Sequence, residues 1–89
     1  MNKYEEYWNK IEGILVPNDK IDDGSYFRAM DKFGEMFFKK GYDKDIPVNE
    51  LVQREGVSFI EYQVKETKYL EKAGLIKIIK KEKDAEANN

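Results

Sequence analysis

Lys65, Lys68 and Lys72 stand three and four residues apart in "KETKYLEK", the spacing that stacks side chains on one ridge of a helix. Ammonium groups in such a row neutralise phosphates, each releasing counterions from a nucleic acid. A second basic group follows at Lys77, Lys80, Lys81 and Lys83, interleaved with Ile76, Ile78 and Ile79. The plain alternative for both groups is solvated surface. Glu61 lies one turn before Lys65 and suits an intrahelical pair, and lysines on an edge strand discourage aggregation.

Other chemistries lack their reagents. With no cysteine there is no disulfide framework, thiolate metal site or thiol nucleophile. With no histidine the usual general base and the commonest metal ligand are missing too. Ser25, Ser58 and Thr67 supply the hydroxyls, none in a strand–turn–helix setting with a candidate base. The acidic group Asp19, Asp22 and Asp23 lacks the ligand register and closing glutamate of a calcium loop, so capping and solubility explain it better. The expectation is a protein that is not an enzyme and carries no cofactor or metal.

The 89 residues suit one domain, and 40% apolar content with 13% aromatic suits a folded one. The net charge of −2 argues mildly against a nucleic-acid partner, but its distribution argues back. Residues 1–23 hold three lysines against six acidic residues, whereas residues 65–83 hold seven lysines against three glutamates. Such segregation is what a single basic face produces. The charged, aromatic start "MNKYEEYW" has no apolar signal segment, and no run approaches transmembrane length, so the cytoplasm is the expected location.

Periodicity predicts the elements that must carry these lysines. Tyr4, Tyr7/Trp8, Ile11 and Leu15 recur at helical spacing, which predicts a helix over 3–16 ended by Pro17. "PNDKIDDGS" predicts a loop. Phe27, Met30, Phe33/Gly34 and Phe37 predict a second, aromatic core helix from about Ser25 to Lys40, with Lys39-Lys40-Gly41 closing it. Ile46-Pro47-Val48 is expected to be extended. Asn49 is expected to cap a short helix carrying Leu51 and Val52 to Glu55, and Gly56 to supply a tight turn. Ser58 and Glu61 have the spacing of a capping box opening a helix to about Ala73, with Ile60, Gln63/Val64, Thr67 and Leu70 inward. Tyr62, Lys65, Lys68, Tyr69 and Lys72 are expected to face away from the core, with Glu61 and Glu66 among them. Gly74 breaks that helix, and Leu75 to Lys80 favours a strand by β-branching.

Two helices joined by a short glycine-bearing turn form a helix-turn-helix pattern. "IPVNELVQREGVS" followed by "YLEKAGLIKI" resembles the winged helix-turn-helix family of small DNA-binding regulators, over residues 46–79. The elements carrying the resemblance are Ile46–Val48, Asn49–Leu51, Gly56–Ser58, and Leu70 with Gly74-Leu75-Ile76. It implies a mainly α (α+β) fold: an N-terminal helical extension at 1–17, a winged-helix domain at 18–83 and a disordered tail at 84–89. The wing is short or truncated, because no apolar return strand follows residue 80. Its single strand is expected either to pair with residues 46–48 or to be absent.

The function implied by the resemblance is binding of double-stranded DNA, as a transcriptional regulator or DNA-organising adaptor, with the third helix in the major groove. The implied contacts are Arg54, Ser58, Tyr62, Gln63, Lys65, Lys68 and Lys72, joined by Lys77, Lys80 and Lys81 from the wing. Ser58, Tyr62 and Gln63 near the helix start are the base-reading candidates, Gln63 being suited to adenine. A homodimer is expected, with Tyr4, Trp8, Ile11 and Leu15 as its seam, or as an intrachain core. The alternative from another class is a winged-helix protein–protein module that does not touch DNA.

Overall fold

Asn2 opens the first helix, α1 (Lys3–Asn9), in the computed structural model, which describes residues 2–16 and 23–81. The Asn2 side chain accepts from the Glu5 N–H at 2.9 Å, and the Glu5 carboxylate accepts from the Asn2 N–H at 3.2 Å, a reciprocal capping box. Lys10 ends the helix after two turns, and the chain becomes a strand, β1 (Ile11–Leu15). The continuous helix expected over 3–16 is therefore two elements. Ile11, Ile14 and Leu15 satisfy helical and extended spacing alike over so short a run, and interior Gly13 weakens the helix. A waiting strand partner decides the outcome.

That partner is β2 (Lys77–Lys80), antiparallel to β1, with Ile11 opposite Lys80, Gly13 opposite Ile79, Ile14 opposite Ile78 and Leu15 opposite Lys77. A bulge between Ile11 and Gly13 absorbs one residue, and the Lys81 N–H extends the pairing to the Lys10 carbonyl at 2.8 Å. The strand expected after Gly74 thus exists, but it does not pair with residues 46–48. Ile46 lies in a bend, and Pro47 (φ −57°) stands at the N-cap of α3 (Val48–Glu55). The Pro47 carbonyl accepts from Glu50 and Leu51 at 3.0 and 3.1 Å, so Asn49 lies inside the first turn and is not the cap. Proline has no N–H for a ladder and its fixed φ suits a helix entry.

The longest helix, α2 (Asp23–Phe37), leaves Lys39 and Lys40 beyond its last turn, unlike the expectation. Phe33 and Phe38 are buried, whereas Phe27, expected inward, is 63% exposed. Gly56, at φ 75°, closes α3: its N–H donates to the Gln53 carbonyl, and that of Val57 to the Val52 carbonyl. Ser58 caps α4 (Phe59–Lys72) by accepting from the Glu61 N–H at 3.2 Å. The same pair of bonds recurs at its far end. Gly74, at φ 81°, donates to Glu71, and Leu75 to Leu70, turning the chain into β2.

Among the described residues this is a small, mainly helical α+β fold of four helices and a two-stranded sheet. α4 is its hub, packing against α1, α2 and α3. One core cluster joins Phe33, Phe38, Leu51, Val52 and Tyr62; the other joins Leu70, Ile76 and Ile78 under Tyr7 and Ile11. Tyr69 touches both. No helix among the described residues is long and apolar enough to cross a membrane. Of the loop expected at 17–25, residues 23–25 instead open α2, and 17–22 lie outside the described residues, as do the side chains of Asp19, Asp22 and Asp23, Lys83 and the tail at 84–89.

Gly34 permits the Tyr42 side chain to pack directly against the backbone of α2. A Cβ there would lie 2.8 and 3.0 Å from Tyr42 ring carbons and closer still to its hydroxyl. That ring packs on Phe38 with centroids 5.3 Å apart, so it cannot retreat without losing contact. Gly34→Ala is expected to destabilise by about 1–3 kcal/mol through overpacking. In a Tyr42→Ala background the same change is expected to be neutral or to gain up to about 1 kcal/mol of helix propensity. Urea unfolding of the four proteins checks this.

Candidate nucleic-acid interface

The α4 ridge forms as its spacing predicts. Lys65, Lys68 and Lys72 are exposed, while Val64, Thr67 and Leu70 are buried behind them. α1 lies along one flank of this ridge and brings groups the spacing alone does not assign to it. The Lys68 ammonium stands 4.5 Å from the Tyr7 ring centroid, and Lys80 of β2 stands 5.4 Å from the same ring. Lys3 and Lys65 stand 5.3 and 5.8 Å from the Tyr4 ring. Each such contact attracts the cation to the ring's electron-rich face. Between α1 and α4 lies a cleft of about 360 Å³ lined by Lys3, Tyr4, Tyr7, Val64, Lys65 and Lys68.

Glu61 and Glu71 are acidic groups that act on this face. Glu61 accepts from Lys65 at 2.8 Å, and this bond outweighs slight burial to hold the Lys65 ammonium more firmly protonated than a free lysine. Burial first, and the Glu71 carboxylate second, raise the Tyr7 phenol above its ordinary value, so it stays a neutral donor near neutral pH. Glu66, expected on the lysine face, instead accepts from the Tyr62 hydroxyl at 3.4 Å on another side of α4.

The remaining expected contacts scatter. Tyr62 is buried at 6% exposure, contrary to expectation, because its ring fills the aromatic core of α2. Burial, then Glu66, raise its phenol far above the ordinary value. Gln63 is half-buried and lines a different cavity. The Ser58 hydroxyl caps α4, and Arg54 on α3 pairs with Glu50 at 2.7 Å. Lys72, Lys77 and Lys81 are exposed. Of the seam residues, Tyr4 and Trp8 are half-buried on α1, Ile11 packs against the second core, and Leu15 is 52% exposed.

The sequence pattern did not mark Lys3 and Tyr7 as members of the basic face. The Lys-Tyr pair at 3–4 is a weak local signal, but their place beside α4 depends on the break at Lys10 and the pairing of β1 with β2. Searches of protein-family models, of curated proteins and of solved structures each found no match to this chain.

Glu66 makes a prediction of its own. Burial raises its carboxyl above the usual carboxylate range, and the Tyr62 hydroxyl offsets only part of this. A carboxyl whose folded value lies above its unfolded one binds protons more readily in the folded state. Stability therefore falls as pH rises through that interval, and at neutral pH the ionised group opposes folding. Glu66→Gln is expected to raise the thermal midpoint at pH 7, with the gain shrinking as pH falls into the carboxylate range. Paired melting curves from pH 7 to pH 4 check it.

Proposed function

We propose that this chain binds double-stranded DNA as a small winged-helix regulator or DNA-organising adaptor, through the lysine face of α4, α1 and β2. The observation that carries the reading is the convergence of Lys3, Lys65, Lys68 and Lys80, from three separate elements, around two tyrosine rings in a chain of net charge −2. A cluster of cations on one face makes a local field suited to a polyanion even where the net charge of the chain is negative. The turn at Gly56 between α3 and α4 and the exit at Gly74 into β2 also suit a winged helix, with β2 as its wing strand.

Affinity on this reading comes from phosphates. Lys65, Lys68, Lys72 and Lys80 take the backbone, with Lys77 and Lys81 extending the track. Base readout is poorly supplied at the start of α4, where Tyr62 is buried and the Ser58 hydroxyl is engaged in capping. Binding is therefore tolerant of sequence and strongly dependent on salt. A second reading, a protein–protein module or homodimer, draws on a different observation. Ile14, Leu15 and Val16 are 43%, 52% and 56% exposed in succession, an apolar run at the end of β1.

Fluorescence anisotropy with a mixed-sequence duplex tests the first reading. Binding at low salt is expected to weaken at least tenfold when Lys65, Lys68 and Lys72 are changed to Gln. The slope of log affinity against log salt is expected to fall by roughly 2 to 3. No binding at low salt, or an unchanged triple variant, overturns it. Sedimentation velocity tests the second: a dimer that Leu15→Glu dissociates supports it, and a monomer at all concentrations overturns self-association.

A further inference from the structure

About 130° around α4 from the lysine ridge, Tyr62, Gln63 and Glu66 help to line a second cavity of about 320 Å³. We propose that this cavity binds a small organic cation, a primary ammonium or guanidinium group on a short alkyl stem. The inference does not depend on the DNA reading.

The walls suit both ends of such a ligand. Phe59 and Tyr62 lie nearly parallel, with centroids 6.5 Å apart and rings tilted by 20°, and Tyr42 also lines the space. Met30 and Val48 add apolar surface for an alkyl stem. Aromatic faces attract a cation as well as its stem, which favours an ammonium over a carboxylate or phosphate. The volume lies at the low end of the ligand-pocket range of about 300–1,000 Å³ and equals that of roughly ten waters, so a short alkylammonium enters with water beside it.

The charges around the cavity have one sign in excess. Asp31, Glu66 and Lys44 line it, and Glu35 also acts on the Tyr42 hydroxyl. Lys44 pairs with Asp31 at 3.3 Å, and both side chains are about half exposed, so this pair sits toward solvent and largely cancels. Glu66 then dominates within the cavity. Its contact with the Tyr62 hydroxyl, at 3.4 Å, is a long one for two oxygens, leaving the carboxylate under-supplied with donors. A charge-assisted bond from an entering N⁺–H is stronger than that contact. The Gln63 side chain offers a further acceptor.

The same ammonium chemistry is offered by a free alkylamine and by the lysine side chain of a partner protein, and the experiment separates them. Amide chemical shifts of the full chain are followed during titration with n-butylammonium, with n-butanol as its neutral counterpart, and with Nα-acetyl-lysine amide. Saturable shifts centred on Tyr42, Phe59 and Glu66 are expected for n-butylammonium, at least fivefold tighter than for n-butanol. Tighter binding of the lysine amide assigns the site to a protein partner, and weaker binding assigns it to a free amine. Glu66→Gln is expected to weaken the ammonium at least fivefold and to leave n-butanol unchanged. Phe59→Ala, at a partly exposed wall, is expected to weaken both. No saturable shift, equal binding of n-butanol, or an unchanged Glu66→Gln variant overturns the proposal.

Discussion

The seating of one ring, Tyr62, among the phenylalanines of α2 and its end is the contact on which the remaining geometry turns. Its centroid lies 5.4 Å from Phe33, 5.1 Å from Phe37 and 5.4 Å from Phe38, with edge-on and stacked arrangements both present. Removing a buried aromatic of this kind costs on the order of 3–5 kcal/mol. The contact also fixes the rotation of α4 about its axis. With Tyr62 turned to α2, helical geometry carries Val64, Thr67 and Leu70 inward and leaves Lys65, Lys68 and Lys72 outward. Glu66, one turn after Tyr62, is drawn to the partly buried flank and away from the lysines. Glu66 stays about 130° from the lysine ridge whatever the rotation of α4, so a turned helix would bury the lysines rather than mix the charges.

α4 places its lysine ridge and Glu66 on different sides, and neighbouring elements add to each. The ridge and β2 contribute lysines to one region, and α1 lays Tyr4 and Tyr7 between them. The rings hold neighbouring ammonium groups close while giving each a favourable surface, which lessens the repulsion a bare lysine cluster would carry. On another side of the helix, Glu66 faces Tyr42, Phe59 and a mixed-polarity cavity. One helix thus presents a cationic surface and an anionic recess with a packed core between them. The glycine closure at Gly56 sets where this helix begins, and the one at Gly74 directs the chain from its end into β2.

Much of this was legible in the residues. The α3–turn–α4 arrangement, the Ser58 cap and the Gly74 exit all arise from local signals whose physics is short-ranged, and each appears where those signals put it. What the sequence concealed depends on distant partners. Ile11 to Leu15 is helical by spacing and becomes a strand because residues 77–80 offer it an edge. Tyr62 is assigned outward if Ile60 is taken as the centre of the buried face. The buried face is instead centred between Thr67 and Leu70, and the phenylalanines that widen it to include Tyr62 come from α2 and its end. Phe27 and Phe38 exchange roles for a similar reason. The spacing defines a stripe on α2, but its end point decides which aromatic the core receives.

The pairing of β1 with β2 also has a temporal meaning. Residues 16–76 lie between the paired strands, so closing this sheet costs an entropy of roughly 3–4 kcal/mol that grows only slowly with the length enclosed. The contacts among α2, α3 and α4 span shorter stretches and can form ahead of it. α1 joins its place on α4 in the company of β1, and the lysine face is complete only when that happens. During synthesis, Tyr4 and Tyr7 emerge well before Lys80 and wait for it before their surroundings exist. A segment made before α2, α3 and α4 is thereby assembled after them.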